Sequence, residues 1–122
     1  MPDAKIFLYA NCSSCRTAER VVMDAGLDVE RRDIIKRALT ADELRQLLSE
    51  IGKRPFDLLS RRSTSYRELG LASRPVSDDE LIELMAEHPR LLLRPILVAD
   101  DEFVIGFDRA RYDRVIAGMG AK

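Results

Sequence analysis

Cysteine is scarce in this 122-residue chain: there are two, and both lie in Cys12-Ser13-Ser14-Cys15. A structural zinc site takes four protein ligands, and the same Cys-x-x-Cys spacing occurs there in paired form. Here no second pair exists and His88 is the sole histidine. Thiol chemistry therefore accounts for the pair better than a metal does. Charge excess is also missing, since 20 basic side chains face 21 acidic ones. That balance argues against a dedicated nucleic-acid binder, which carries a basic excess or stripe; it says nothing against protein partners. No apolar run approaches the ~18 residues of a membrane span. The apolar stretch after Met1–Lys5 is too short for a signal peptide and runs into the cysteines. A phosphate-binding glycine loop, a nucleotide fingerprint and a catalytic triad are all absent from the sequence. The expectation is a cytoplasmic protein with no resident metal or cofactor, no direct nucleic-acid partner and no membrane contact. In such a reducing compartment a lone close cysteine pair is more often catalytic or sensing than structural.

What is present is an ordered succession of short elements. Lys5-Ile6-Phe7-Leu8-Tyr9 is a strand that leads directly into the cysteines. From Ser13 onward, Ala18, Val21, Val22 and Ala25 recur at helical spacing, and Gly26 ends the helix. Asp28 to Ile34 predicts a second strand, parallel to the first through a right-handed crossover. Thr40 and Glu43 form a capping box ahead of the stripe Leu44, Leu47, Leu48, Ile51, which Gly52 stops. Short helices are expected at Phe56 to Leu59 and Ser65 to Leu69, and a longer one from Ser77 to His88-Pro89. Leu91 to Val98, apolar except for Arg94, and Phe103 to Ile105 predict a strand pair joined through Ala99-Asp100-Asp101-Glu102. Asp108 caps a last helix through Ala110, Tyr112, Val115 and Ile116.

The resulting order is β-α-β, a helical insertion, then β-β-α. It predicts an α/β fold: a thioredoxin-like four-stranded mixed sheet flanked by helices, with the insertion between the two halves. The length suits one domain over residues 1–122. Its thioredoxin-like core spans about 4–35 and 91–118, and its insertion about 40–88.

Two thiols at a strand-to-helix junction suit reversible disulfide chemistry. The helix N-terminus favours the Cys12 thiolate, and Cys15, one turn along, can reach it. Cys12 is the expected attacking sulfur and Cys15 the resolving one. Ser13 and Ser14 are read either as cap and anion-loop donors or as small helix-tolerant filler. Asn11 either hydrogen-bonds across the loop or is a plain turn residue. Arg16 is equally compatible with the thiolate and with solvent. Arg94 is an anion or thiolate partner, or else a surface arginine at a strand start, and Pro95 stands where a strand tolerates a missing N–H. Arg62, among Arg61 and Arg67, either contacts substrate or solvates a helix face. His88 before Pro89 reads as a helix end.

Three blocks resemble the arsenate reductase (ArsC)/Spx/YffB family. They are Tyr9-Ala10-Asn11-Cys12-Ser13-Ser14-Cys15-Arg16-Thr17-Ala18; Leu58 through Gly70; and Glu87-His88-Pro89-Arg90-Leu91-Leu92-Leu93-Arg94-Pro95-Ile96, followed by Ile105-Gly106-Phe107. The resemblance implies a cis Arg94–Pro95 bond opposite the cysteines. It also implies a small thiol or oxyanion substrate, with glutathione or a glutaredoxin/thioredoxin system as electron donor. Glutaredoxin-linked arsenate reductases use one cysteine, matching Cys12, and three arginines. Of those arginines Arg94 has a counterpart here, while Ser60 and a position near Phe107 stand where the others would be. Spx-type regulators carry a cysteine pair, arginines matching Arg62 and Arg94, and a contact with the C-terminal domain of the RNA polymerase α subunit. The glycine of that contact falls on Arg54, with Gly52 nearby. YffB-like members, thought to be glutathione-dependent thiol reductases, match in length and through Leu58 to Leu69, but generally have one cysteine.

Overall fold

The computed structural model describes residues 3–9, 12–99 and 102–120, with the backbone alone for residues 119 and 120. Asn11, Asp100 and Asp101 lie outside the described residues. The chain forms two compact units, residues 1–36 with 94–122 and residues 37–93.

In the first unit, β1 (Ala4–Leu8) leads to α1 (Ser13–Asp24), which returns to β2 (Val29–Asp33). The unit ends with β3 (Ile96–Ala99), β4 (Glu102–Ile105) and α5 (Arg109–Gly120). The sheet order is β2-β1-β3-β4. β1 runs parallel to β2 and antiparallel to β3, and β3 pairs antiparallel with β4. This is the mixed, thioredoxin-like sheet expected from the element order. Side chains alternate faces along a strand, so Ala4, Ile6, Leu8, Leu97, Ala99 and Val104 share one face. They pack with Cys15, Ala18 and Val22 of α1 and Tyr112 and Val115 of α5. Phe7, Ile96 and Val98, set between them in sequence, are buried on the opposite face.

The expected strand from Leu91 is shorter than its apolar run. Leu91 closes a 3-10 turn over Pro89–Leu91, and Leu92 makes an isolated antiparallel bridge to Leu59. Both leucines are buried within the second unit, and strand pairing starts only at Ile96. Burial makes a segment apolar whichever neighbour covers it, so the run could not mark where one unit gives way to the other.

The second unit holds α2 (Ala41–Ile51), a 3-10 turn over Pro55–Leu58, α3 (Thr64–Glu68) and α4 (Asp78–Glu87). Thr40 Oγ1 accepts from the Glu43 N–H at 3.1 Å and Glu43 Oε1 accepts from the Thr40 N–H at 3.0 Å. Leu44, Leu47, Leu48 and Ile51 form the buried stripe of α2, and Leu81, Ile82 and Met85 that of α4. Gly52 ends α2 at φ 65°, a left-handed conformation that suits a residue without Cβ. Arg45 on α2 reaches Asp79 and Glu83 on α4, tying the solvent sides of the two helices.

Candidate active site

β1 brings the chain to the edge where α1 starts, and the first cysteine becomes the helix cap. An N-cap side chain accepts from the backbone N–H three residues on. That offset is also the Cys-x-x-Cys spacing, so the second cysteine occupies the third helical position. The Cys15 N–H donates to Cys12 Sγ at 3.2 Å. The Arg16 N–H donates to the Cys12 carbonyl at 3.1 Å, closing the first turn. Ser13 is therefore not the cap, one of the two roles open to it: sulfur holds that position, and Ser13 and Ser14 are the exposed first and second helical residues. No acidic residue stands in the first turn of α1, so the positive end of the helix dipole faces a sulfur without a competing carboxylate.

The two thiols differ in environment. Cys12 is half-buried, Cys15 is 1% exposed, and both are free thiols. Burial, then the hydrogen bond to the Cys12 sulfur, push the Cys15 thiol up to about 12. A backbone hydrogen bond from Tyr9 and the charge of Arg94 act in the opposite sense and do not offset it. Cys15 is thus held as a neutral thiol beneath Cys12.

Arg94 precedes β3 in the same unit as the cysteines. Its guanidinium carbon lies 4.4 Å from the centre of the Tyr9 ring, a cation–π distance. The bond from Arg94 to Pro95 is cis. Cys12, Ser13, Ser14, Cys15, Arg94 and Pro95 all belong to this unit, and the field of Arg94 is felt at Cys15. Arg62 belongs to the other unit, where it lines a cavity of about 530 Å³ with Arg61, Tyr66, Arg67 and Ser73. His88 follows α4 as its C-cap, with its N–H bonded to the Leu84 carbonyl at 2.7 Å.

Two aromatic residues were not singled out by the sequence as site residues. Tyr9 supplies both the face under Arg94 and a backbone donor to Cys15. Tyr112, expected only as core, lies in the cluster that contains Cys15. The signal for Tyr9 was its place three residues before the first cysteine; Tyr112 offered none beyond a hydroxyl on an inward helical position. Phe107 packs edge-on against Tyr112 with ring centres 5.0 Å apart. Among the described residues, no group of three His, Cys, Asp or Glu side chains could hold a metal ion, and no helix is long and apolar enough to cross a membrane.

Comparison with known proteins agrees with this geometry. A Global transcriptional regulator Spx from Streptococcus pyogenes serotype M1 is 34% identical over 103 residues, covering 84% of this chain and 77% of the relative. A possible arsenate reductase from Streptococcus mutans UA159 superposes with a TM-score of 0.79 at 31% identity, covering 93% of this chain and 98% of that one. Arsenate reductase from Vibrio cholerae shares the fold, with a TM-score of 0.80 at 24% identity and coverage of 95% and 97%. The ArsC family pattern matches residues 7–115, and with the mixed sheet and its cysteine-capped helix in place, the chain belongs to the ArsC family.

Proposed function

We propose that the protein is a thiol–disulfide oxidoreductase in which Cys12 attacks and Cys15 resolves. The observation that carries this reading is the asymmetry of the pair: a partly buried Cys12 at the helix cap, and a buried, protonated Cys15 hydrogen-bonded to its sulfur. The Cys12 thiolate attacks a disulfide R–S–S–R, forming Cys12–S–S–R and releasing RS⁻. Cys15 then loses its proton and attacks the Cys12 sulfur, forming the Cys12–Cys15 disulfide and releasing the second RS⁻. Two electrons pass from the protein to the substrate. Glutathione, or a glutaredoxin or thioredoxin, returns them in the cytoplasm. Arg94 favours the anionic sulfurs of both steps, and Pro95 shapes the backbone beside them. Ser13 and Ser14 contribute first-turn N–H groups, which a helix leaves without internal partners.

A small thiol or disulfide suits this site better than an oxyanion. Converging guanidinium forks hold such anions, yet Ser60 and a position near Phe107 stand where the family's oxyanion reductases bring further arginines. Arg62, with Arg61 and Arg67, lines a cavity of the second unit.

Intact-mass kinetics with glutathione disulfide test the reading. A transient adduct on Cys12 should give way to an internal disulfide, the adduct should persist in Cys15→Ser, and it should not form in Cys12→Ser. An adduct equally long-lived in the wild type and Cys15→Ser would remove the resolving role.

A second reading is favoured by the 34% identity to the S. pyogenes Spx regulator. In it the same disulfide controls docking to the C-terminal domain of the RNA polymerase α subunit. A binding titration against that domain, oxidised and reduced, separates the two: redox-dependent binding without turnover supports the regulator.

A further inference from the structure

Tyr112 is fully buried, and its Oη has no hydrogen-bond partner among the described residues. A buried hydroxyl left unpaired costs about 1–3 kcal/mol, so its surroundings matter. They are almost wholly hydrocarbon. In the hydrophobic cluster formed by β1, β3, β4, α1 and α5, Tyr112 packs with Cys15 and with aliphatic residues, and Cys12 lies partly buried against the same cluster. The buried polar side chains Ser60 and Ser63 both belong to the other unit. Phe107 braces the Tyr112 ring edge-on, and α1 and α5 pack together. The orphan donor therefore shares a dry compartment with the sulfur that must become an anion during disulfide closure.

We propose that the Tyr112 hydroxyl is the hydrogen-bond donor that stabilises the Cys15 thiolate as it attacks the Cys12 mixed disulfide. The proposal rests on the attacking and resolving roles assigned above. In the reduced protein the Cys15 proton is directed to the Cys12 sulfur, and the Tyr112 hydroxyl makes no hydrogen bond to the Cys15 sulfur. Once Cys12 is bonded to R–S, its sulfur no longer accepts that proton as a thiolate would. Cys15 then releases the proton to solvent or to the departing RS⁻, and charge develops on a desolvated sulfur. A neutral donor in the same compartment offsets part of that desolvation. Tyr112 itself remains protonated, because burial and then the Cys15 charge push its ionisation well above the usual phenol range. It therefore acts as a donor throughout and not as a base.

Stopped-flow reaction with 5,5′-dithiobis(2-nitrobenzoate) tests this directly. Reduced wild-type protein should release thionitrobenzoate in two phases, the first from attack by Cys12 and the second from closure by Cys15. Tyr112→Phe should leave the first phase unchanged and slow the second by roughly tenfold, the order expected for losing one hydrogen bond to a charged group. Its second phase should also accelerate at higher pH than in the wild type. The thermal midpoint should be unchanged or raised, because the variant removes an unpaired buried hydroxyl and keeps the ring. A folded Tyr112→Phe protein with the wild-type second phase and pH profile would overturn the proposal, as would equal slowing of both phases. A wild type without a second phase, behaving like Cys15→Ser, would instead overturn the cysteine roles themselves and take the proposal with them.

Discussion

The helix starts of α1 and of α2 and α4 answer the same physical problem in opposite ways. Each exposes backbone N–H groups that its own turns cannot satisfy. At α2 and α4 the cap is a hydroxyl, Thr40 or Ser77, and the first turn carries Asp42 and Glu43 or Asp78, Asp79 and Glu80. Those carboxylates meet the positive end of the helix and hold it against solvent. At α1 the cap is a thiol, the first turn has no acid, and Ser13 and Ser14 are small and neutral. The difference separates a helix start built for stability from one left open to an external anion. A sulfur is a weaker hydrogen-bond acceptor than a hydroxyl oxygen, so α1 gives up some capping strength in exchange for a reactive atom.

Converting one kind of start into the other should produce the largest effect. Cys12→Asp places a favoured capping side chain on α1. It should abolish thiol–disulfide exchange while leaving the urea unfolding free energy within about 1 kcal/mol of the wild type. Residual exchange through Cys15 alone, measured by intact mass, would contradict the assigned order of attack.

The next effect concerns pH. Cys15 retains its proton in the folded state up to about 12, against an ordinary value of 9.0. Between those values the unfolded chain loses the proton and the folded chain keeps it, so rising pH favours unfolding. The folded-to-unfolded ratio should fall by up to about tenfold per pH unit across that window from this group alone. Below pH 9 its contribution is constant. Urea midpoints recorded against pH for the wild type and Cys15→Ala isolate the contribution, since the variant should lack it.

Thr40→Ala removes the hydroxyl that accepts from Glu43 and should destabilise the protein by about 1 kcal/mol, read from urea unfolding. Exchange chemistry should be unaffected, because the α2 start carries no reacting group. The smallest effect belongs to Ser14→Asp, which gives α1 a carboxylate at the position Asp42 holds in α2. Repulsion of the Cys12 thiolate should slow its alkylation by iodoacetamide about two- to fivefold at low ionic strength. Added salt should erase most of that difference.

Much of this contrast is legible in the chain. Thr40 and Glu43, and the run Ser77-Asp78-Asp79-Glu80, announce their helices through local chemistry alone. Cys12-Ser13-Ser14-Cys15 after an apolar strand announces a thiol pair at a helix start in the same way. What was not legible depended on neighbours distant in sequence. The run from Leu91 read as one strand, although Leu92 pairs with Leu59 and Ile96 with Phe7 and Ile105.

The sequence by itself determined the element order, the capping of α2 and α4, and the presence of two sulfurs one turn apart, because these follow from interactions between residues within four positions of each other. Tertiary structure decided the rest: that Cys15 is sealed from solvent while Cys12 is not, that Arg94 lies over Tyr9, and that the Tyr112 hydroxyl shares the Cys15 compartment. Burial and electrostatic fields depend on what the folded chain brings close, and no local pattern encodes them.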